Sequence, residues 1–192
     1  LQWSGEMISF PVTFPAKACR ELRVVTADGV PVVFQATEIA RHPDGSVKTA
    51  RVYVKTDLAP EQTIVFRVLD DKAAKGVTPA RAPEAIRITE GNGLMTLETG
   101  PAGIRLPVGE FTEKIPAPYQ GFKLTPTRWT GGSALHGTPA PERLFARILE
   151  RGPLFAEVEL AYQYPEDRRY TLRCRVIAGE SVALFTESMN TE

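Results

Sequence analysis

Residues 154–177 read LFAEVELAYQYPEDRRYTLRCRVI and give the clearest indication of the fold. Apolar and charged side chains alternate in two runs, which Pro165-Glu166 separates. A period of two is typical of a β-strand with one dry face and one wet face. The dry face carries Leu154, Ala156, Val158, Leu160 and Tyr162, then Tyr170, Leu172, Cys174 and Val176. The stretch therefore predicts an antiparallel hairpin whose wet face pairs Glu157 and Glu159 with Arg173 and Arg175.

Similar short runs extend through the second half of the chain. Gly152-Pro153 and Gly179-Glu180 set off flanking strands, and Asn92-Gly93 supplies a tight hairpin turn because both of its positions tolerate a positive φ. The predicted strands are 85–89, 94–99, 104–108, 144–150, 154–164, 169–177 and 182–188. Together they predict an antiparallel β-sandwich.

The first half has the same character. Asp28-Gly29 and Asp44-Gly45 are hairpin turn signals between β-rich runs. In residues 47–55, small and apolar residues alternate with polar ones, and residues 63–69 add another strand. Strands of ordinary length and these turns predict a compact unit of about five strands, a small β-barrel.

A change in composition, together with a break in the strand pattern, divides the chain into two domains. Residues 72–85 have no sustained apolar period and read as a linker. The prediction is an all-β protein with a barrel at 1–71 and a sandwich at 86–192. Within the sandwich, residues 111–142 are rich in Pro and lack alternation, which indicates a long loop. We refer to 111–142 as the excursion.

Charge and hydropathy exclude several classes of protein. Lys plus Arg and Asp plus Glu both number 23, so no net field favours nucleic acid. No apolar run approaches the roughly 20 residues of a membrane-spanning helix. Cys19 and Cys174 are too few for a disulfide framework and wrongly spaced for a zinc site, which favours two plain thiols whose redox state stays open.

Several motifs, taken in order, resemble a known family. Their order and spacing are similar to the N-terminal RIFT-type barrel of exo-rhamnogalacturonan lyase-like proteins, although His42 stands where relatives carry Trp. The second half resembles the central β-sandwich of the same family. The motifs are Phe14-Pro15, LRVV at 22–25, Asp28-Gly29, Gln35 and PDGSVK at 43–48, then 91–100, ERGP at 150–153, 170–177 and 179–185.

The resemblance covers most of the chain and implies a function. Family members act on acidic rhamnogalacturonan- or ulvan-type polysaccharides by β-elimination, and a C-terminal α/α toroid follows their two β-domains. The sequence contains no such toroid. The expectation is therefore a non-catalytic β-domain portion of a secreted or periplasmic lyase-like enzyme, which supports or binds an acidic glycan beside the toroid of a longer polypeptide. The alternative is a stand-alone carbohydrate-binding or interaction protein. The leader that would show secretion is absent from this chain.

The excursion gathers the residue types that such a glycan would need. Its candidate carbohydrate-binding residues are Tyr119, Lys123, Arg128, Trp129 and His136. Aromatic rings would stack on sugar faces while Arg128 meets a carboxylate in a forked, charge-assisted hydrogen bond. The competing interpretation is that Trp129 and Tyr119 only pin the loop to the sandwich. No catalytic residue is assigned.

Other chemistries find less support in the sequence. His136 has no His, Cys or carboxylate at metal-ligand spacing, so no metal or cofactor is predicted, although a calcium ion stays open. Glu157 and Glu159 share a strand face, as paired glycosidase carboxylates would, but the opposing arginines favour a solvated salt-bridge ladder. His42 and Asp44 are expected to serve their own turn.

Overall fold

The computed structural model describes residues 3–82, 86–123, 125 and 127–190. The chain divides into two compact units, Leu1–Pro83 and Glu84–Glu192. Every regular element among the described residues is a β-strand, and every strand pair is antiparallel, so the predicted all-β class is confirmed. A search of the same residues finds no helix with the length and apolar character that crossing a membrane requires. Position 85, at the start of one predicted strand and the end of the predicted linker, lies outside them.

In the first unit, residues 3–82 form five strands: β1 (Trp3–Thr13), β2 (Arg23–Thr26), β3 (Phe34–Arg41), β4 (Val47–Leu58) and β5 (Phe66–Leu69). They form a three-stranded sheet in the order β1-β4-β3 and a separate ribbon of β2 and β5. The predicted barrel needs a correction, because no sheet of the described residues closes on itself. Pro31 has no N–H to donate, and only an isolated bridge from Val25 to Pro31 extends the ribbon before β3 begins.

The core of the first unit is small and aliphatic. Val52 and Val54 of β4 are fully buried, with Val24 of β2 beside them. Cys19 and Val47 anchor a second cluster. Burial is the chief cause that raises the pKa of the Cys19 thiol, so this cysteine fills space as a small apolar residue.

The turn at residues 42–46 is held by its own side chains, as predicted. Asp44 Oδ1 accepts hydrogen bonds from the Ser46 amide at 2.9 Å and from the Ser46 hydroxyl at 2.5 Å. These bonds lower the pKa of Asp44. His42 Nε2 lies 3.0 Å from the Phe14 carbonyl oxygen. Asp44 therefore stabilises its own turn, whereas the His42 ring ties the turn to Phe14, the residue after β1.

The described residues of the second unit form ten strands in two sheets. The first sheet has the order β11-β10-β8-β7-β6, and the second has the order β15-β14-β13-β12-β9. The strands are β6 (Arg87–Gly91), β7 (Leu94–Glu98), β8 (Gly103–Pro107), β9 (Gly109–Phe111), β10 (Gly121–Lys123), β11 (Trp129–Thr130), β12 (Arg143–Arg151), β13 (Phe155–Gln163), β14 (Arg169–Ile177) and β15 (Ala183–Met189).

The two sheets share one apolar core. The first sheet contributes Met95, Leu97, Ile104 and Leu106, all at most 1% exposed. The second contributes seven of the nine residues of the predicted dry face: Ala156, Val158, Leu160, Tyr162, Leu172, Cys174 and Val176. Of the other two, Tyr170 packs against this core while partly buried, and Leu154 is buried just before β13. Burial raises the pKa of the Cys174 thiol to about 12. The shared core makes this unit sandwich-like.

The excursion is only partly a loop. The short strands β10 and β11 lie inside it and extend the first sheet, and β9 at its start joins β12 of the second. Strands of two or three residues are too short to show alternation, so the sequence pattern could not reveal them.

Candidate functional site

The structure distributes the five predicted residues over three places in the second unit. Lys123 and Trp129 face each other across the β10–β11 pair, and Arg128 directly precedes β11. Tyr119 packs against the sandwich core. His136 lies beyond β11, in a separate cavity. The residues therefore do not form one constellation.

Trp129 lies over a floor of two glycines on the outer surface of the first sheet. A Cβ at Gly103 would come within 2.9 Å of Trp129 Cη2, and one at Gly121 would come within 3.7 Å of Trp129 Cε3. No side chain other than hydrogen would therefore leave the ring in place over Gly103. Trp129 is only partly buried, so some of the indole stays accessible.

Arg105 completes this arrangement. Its guanidinium carbon lies 4.1 Å from the centroid of the Trp129 ring, within cation–π range. In β8 the core residues Ile104 and Leu106 flank Arg105, so it points to the same outer surface as Trp129. Stacking restricts both groups and holds a positive charge beside the aromatic ring.

Lys123 is committed to a carboxylate. Its ammonium group forms an ion pair with Glu98 of β7, and the side chains are 13% and 21% exposed. The hydrogen bond from Lys123 is the chief cause that lowers the pKa of Glu98. Trp129, Arg105, Lys123 and Glu98 together form what we call the tryptophan face. Lys123 positions Glu98 there rather than offering a free charge.

Arg128 is the freest cation beside the tryptophan face. Its backbone N–H reaches Thr125 Oγ1 at 3.1 Å, which closes the turn before β11. The residue is exposed, and its guanidinium has no hydrogen-bond or ion-pair partner among the residues that the structure describes. It is available to bind an anion next to Trp129.

Tyr119 has a structural environment. Its ring meets Phe185 edge-on at a centroid distance of 5.0 Å and lies 5.8 Å from Phe122. The Ser133 amide donates to the Tyr119 carbonyl at 2.7 Å, which ties the end of the excursion back to this point. Burial, followed by the charge of Glu187, raises the pKa of the Tyr119 hydroxyl. Pinning of the loop, the competing interpretation, describes Tyr119 well.

His136 lines a small cavity of about 220 Å³ together with Tyr164, Arg168 and Met189. Across the described ranges, no group of three or more His, Cys, Asp or Glu side chains is placed to hold a metal ion. His136 follows Trp129 by only seven positions, but the lining of its cavity includes none of the residues of the tryptophan face.

The arrangement supports binding more directly than bond cleavage. The tryptophan face offers an aromatic surface, a stacked guanidinium and an adjacent free arginine. Elimination from a uronate needs a base beside the carbon that loses its proton. Tyr119 and His136 have side chains that can transfer a proton, and both lie outside this surface.

Sequence reasoning missed Arg105, Glu98 and the two floor glycines. The alternation of Arg105 with two core residues was a usable signal for its outward direction. Nothing in the sequence places Gly103 under Trp129, because the two are 26 positions apart and meet only through β10.

Comparison with known proteins adds no family assignment. No protein-family model matches the chain. A search of curated proteins likewise returned no match.

Proposed function

We propose that this chain is the non-catalytic β-domain portion of an extracytoplasmic polysaccharide lyase-like enzyme and that it binds the acidic glycan on which the enzyme acts. The glycan would be of the rhamnogalacturonan or ulvan type, and β-elimination would belong to a helical toroid of the same longer polypeptide. The observation that carries the binding role is the tryptophan face, with Arg105 stacked on Trp129 at 4.1 Å.

The chemistry of this surface suits an acidic sugar. The C–H face of a pyranose ring packs on an indole, which buries apolar area without needing hydrogen bonds. A guanidinium binds a carboxylate with two parallel, charge-assisted hydrogen bonds. Arg128 directly precedes Trp129 and is exposed, so Arg128→Ala tests whether this guanidinium and the indole contact the same uronate residue.

The binding role is tested by titrating the protein with an oligogalacturonate in a calorimeter. Trp129→Ala and Arg128→Ala should each weaken binding about tenfold or more, because each removes a contact worth at least ~1.4 kcal/mol. Phe122→Ala is the matched control, since Phe122 lies next to Lys123 in β10 and its ring contacts Tyr119 instead. Unchanged affinity in both variants would make the excursion a structural segment only.

A second test addresses the non-catalytic role. Purified chain mixed with rhamnogalacturonan or ulvan should give no rise in ultraviolet absorbance from unsaturated uronate. A rise that is proportional to protein concentration would contradict the proposal. The alternative of a stand-alone binding protein predicts the same result, and the full reading frame separates the two by the presence of a helical toroid.

A further inference from the structure

The outer surface of the second sheet carries an ordered grid of side chains. The strand register aligns outward-facing residues of β12, β13, β14 and β15 in rows that run across the strands. The first row is Arg143, Gln163, Arg169 and Asn190. The second is Phe145, Ala161, Thr171 and Ser188, and the third is Arg147, Glu159, Arg173 and Thr186.

Most side chains of the middle row are short, and both flanking rows carry long ones. Ala161, Thr171 and Ser188 are short, whereas both flanking rows carry arginines. Two adjoining cavities of about 630 and 390 Å³ follow, and Glu159 and Arg169 line both. Since strands lie ~4.8 Å apart, a channel across four of them is about 14 Å long. We call this channel the arginine trough.

The walls of the arginine trough are positively charged. The three rows hold four arginines and one glutamate. Glu159 is 4% exposed and accepts hydrogen bonds from Arg147 at 2.8 Å and from Arg173 at 3.0 Å. The guanidinium-bearing side chains are 68% and 53% exposed, so one carboxylate neutralises only one of two accessible cations.

Arg169 is the least committed of these cations. Its backbone N–H is bonded to Asn190 Oδ1, but its guanidinium has no hydrogen-bond or ion-pair partner in the part of the chain that the structure describes. It stands where the two cavities meet. By contrast, Arg143 pairs with Glu110 at 3.4 Å, and Asp167 adds one carboxylate to the lining. An anion in the trough would therefore meet Arg169 first.

The remaining lining suits a sugar. Thr171, Thr186 and Ser188 present hydroxyl groups, and Gln163 presents an amide, all of which can bond to sugar hydroxyls. Phe145 stands at one end of the middle row and is 41% exposed; the Arg143 guanidinium lies 5.4 Å from its ring centroid, so a pyranose would pack on the side that Arg143 leaves open. The trough thus has short side chains along its floor, arginines along its sides and an aromatic ring at one end. This combination favours a linear, carboxylated sugar chain over an apolar ligand.

We propose that the arginine trough is a second binding site, in which an acidic oligosaccharide lies across the strands with a carboxylate on Arg169. The choice of a glycan among polyanions rests on the function proposed above, whereas the charge and shape of the trough do not depend on the tryptophan face. The two sites use different sheets and share no residue, so each can fail alone.

The experiment is a calorimetric titration of the whole chain with an oligogalacturonate, in the Trp129→Ala background, where the tryptophan face is removed. Arg169→Ala should weaken the remaining binding about tenfold or more, by the loss of a charge-assisted hydrogen bond. Arg168→Ala is the matched control, because it removes the same charge one residue away, where Arg168 pairs with Glu166 at 3.0 Å outside the trough. It should bind like its parent.

A second variant tests the trough by shape alone. Thr171→Trp fills the floor of the arginine trough and keeps every arginine. The fold should tolerate it, because aromatic residues are common in β-strands. It should abolish binding in the Trp129→Ala background while circular dichroism stays unchanged. Equal affinity of Arg169→Ala, Thr171→Trp and Arg168→Ala would overturn the trough. So would equally tight binding of a DNA oligonucleotide, which would show a non-specific cation surface.

The same series separates the two proposals. Full binding by Trp129→Ala together with loss in Arg169→Ala would remove the tryptophan face and keep the trough. Loss of all binding in Trp129→Ala alone would keep the tryptophan face and overturn the trough.

Discussion

Glu159 shows how one buried carboxylate organises a surface. Arg147 and Arg173 reach it from the two neighbouring strands. Burial alone would raise the pKa of Glu159, but the hydrogen bonds from these arginines outweigh it, so the pKa lies below its ordinary value of 4.5. The predicted cross-strand pairs are therefore present, whereas the expected solvation of the carboxylates is wrong. Strands on both sides of β13 project long arginines over it, which leaves Glu159 only 4% exposed.

This environment predicts a pH-dependent contribution to stability. A carboxyl with a depressed folded-state pKa stabilises the protein fully above its unfolded pKa, and this stabilisation is lost as pH falls through the folded value. Glu159→Gln should therefore lower the free energy of unfolding at pH 7 by about 2 kcal/mol. The difference from wild type should shrink as pH falls below 4.5.

Urea denaturation across this pH range measures the effect. Glu110→Gln is the control, because Glu110 and its partner Arg143 are about half exposed and such pairs contribute little. A Glu159→Gln cost that stays constant with pH would show that shape, not charge, matters at this position.

Gly103 gives a residue-scale test of the tryptophan face. Its Cβ would lie 2.9 Å from Trp129 Cη2 and 3.3 Å from the backbone oxygen of Leu97, and only the first of these can move easily. Gly103→Ala should displace the indole, cost about 1–3 kcal/mol and weaken oligogalacturonate binding.

Tryptophan fluorescence in a Trp3→Phe background would report the displacement directly, because Trp129 is then the sole tryptophan. Gly91→Ala is the control: Gly91 lies in the same sheet, and its Cβ would meet nothing within 4 Å. If the two alanine variants gave the same emission and stability, the glycine floor would have no role in holding Trp129.

At the scale of elements, periodicity was informative where strands are long. Both halves of the hairpin at 154–177 appear with the predicted faces, because nine-residue strands give several repeats of the alternation. β1 was missed although Ile8, Phe10 and Val12 alternate in it and pack on the core. No turn signal precedes it, and Pro11 within the run argues against a strand by ordinary rules.

The strand β15 has an edge that the described residues leave uncovered. It has β14 as its one strand neighbour, and Leu184 and Met189 are 51% and 57% exposed. An exposed apolar edge strand is prone to pair with other chains. Leu184→Glu should reduce aggregation on heating, because it puts a charge on the edge opposite Arg175 without burying it.

Static light scattering at fixed protein concentration measures this change, and the melting temperature should stay the same. Val65→Glu is the control, since Val65 is 50% exposed but lies outside the strands. Equal scattering by wild type and Leu184→Glu would show that β15 is not the surface through which chains associate.

At the scale of the molecule, sequence and structure agree on the all-β class. They differ on whether the first unit closes into a barrel and on which candidate residues lie together. Fold class follows from turns and alternation, which are local. Barrel closure depends on which strands meet, and β2 and β5 pair apart from β3 through contacts that no local pattern records. The candidate carbohydrate-binding residues are predicted from their amino-acid types alone. The structure brings two of them, Lys123 and Trp129, together because β10 and β11 pair. The arginine trough also depends on the register of four strands. The sequence predicts the pairing of only two of them, β13 and β14.

The proposed function requires the sandwich-like unit to recognise negative charge on a sugar chain. One calorimetric titration tests it most directly: wild-type protein with an oligogalacturonate and with the same oligosaccharide fully methyl-esterified, each at low and at physiological salt. We expect the acidic form to bind, its affinity to fall as salt rises because the contacting charges are exposed, and the ester not to bind. Equal binding of both forms, or binding of neither, would contradict it.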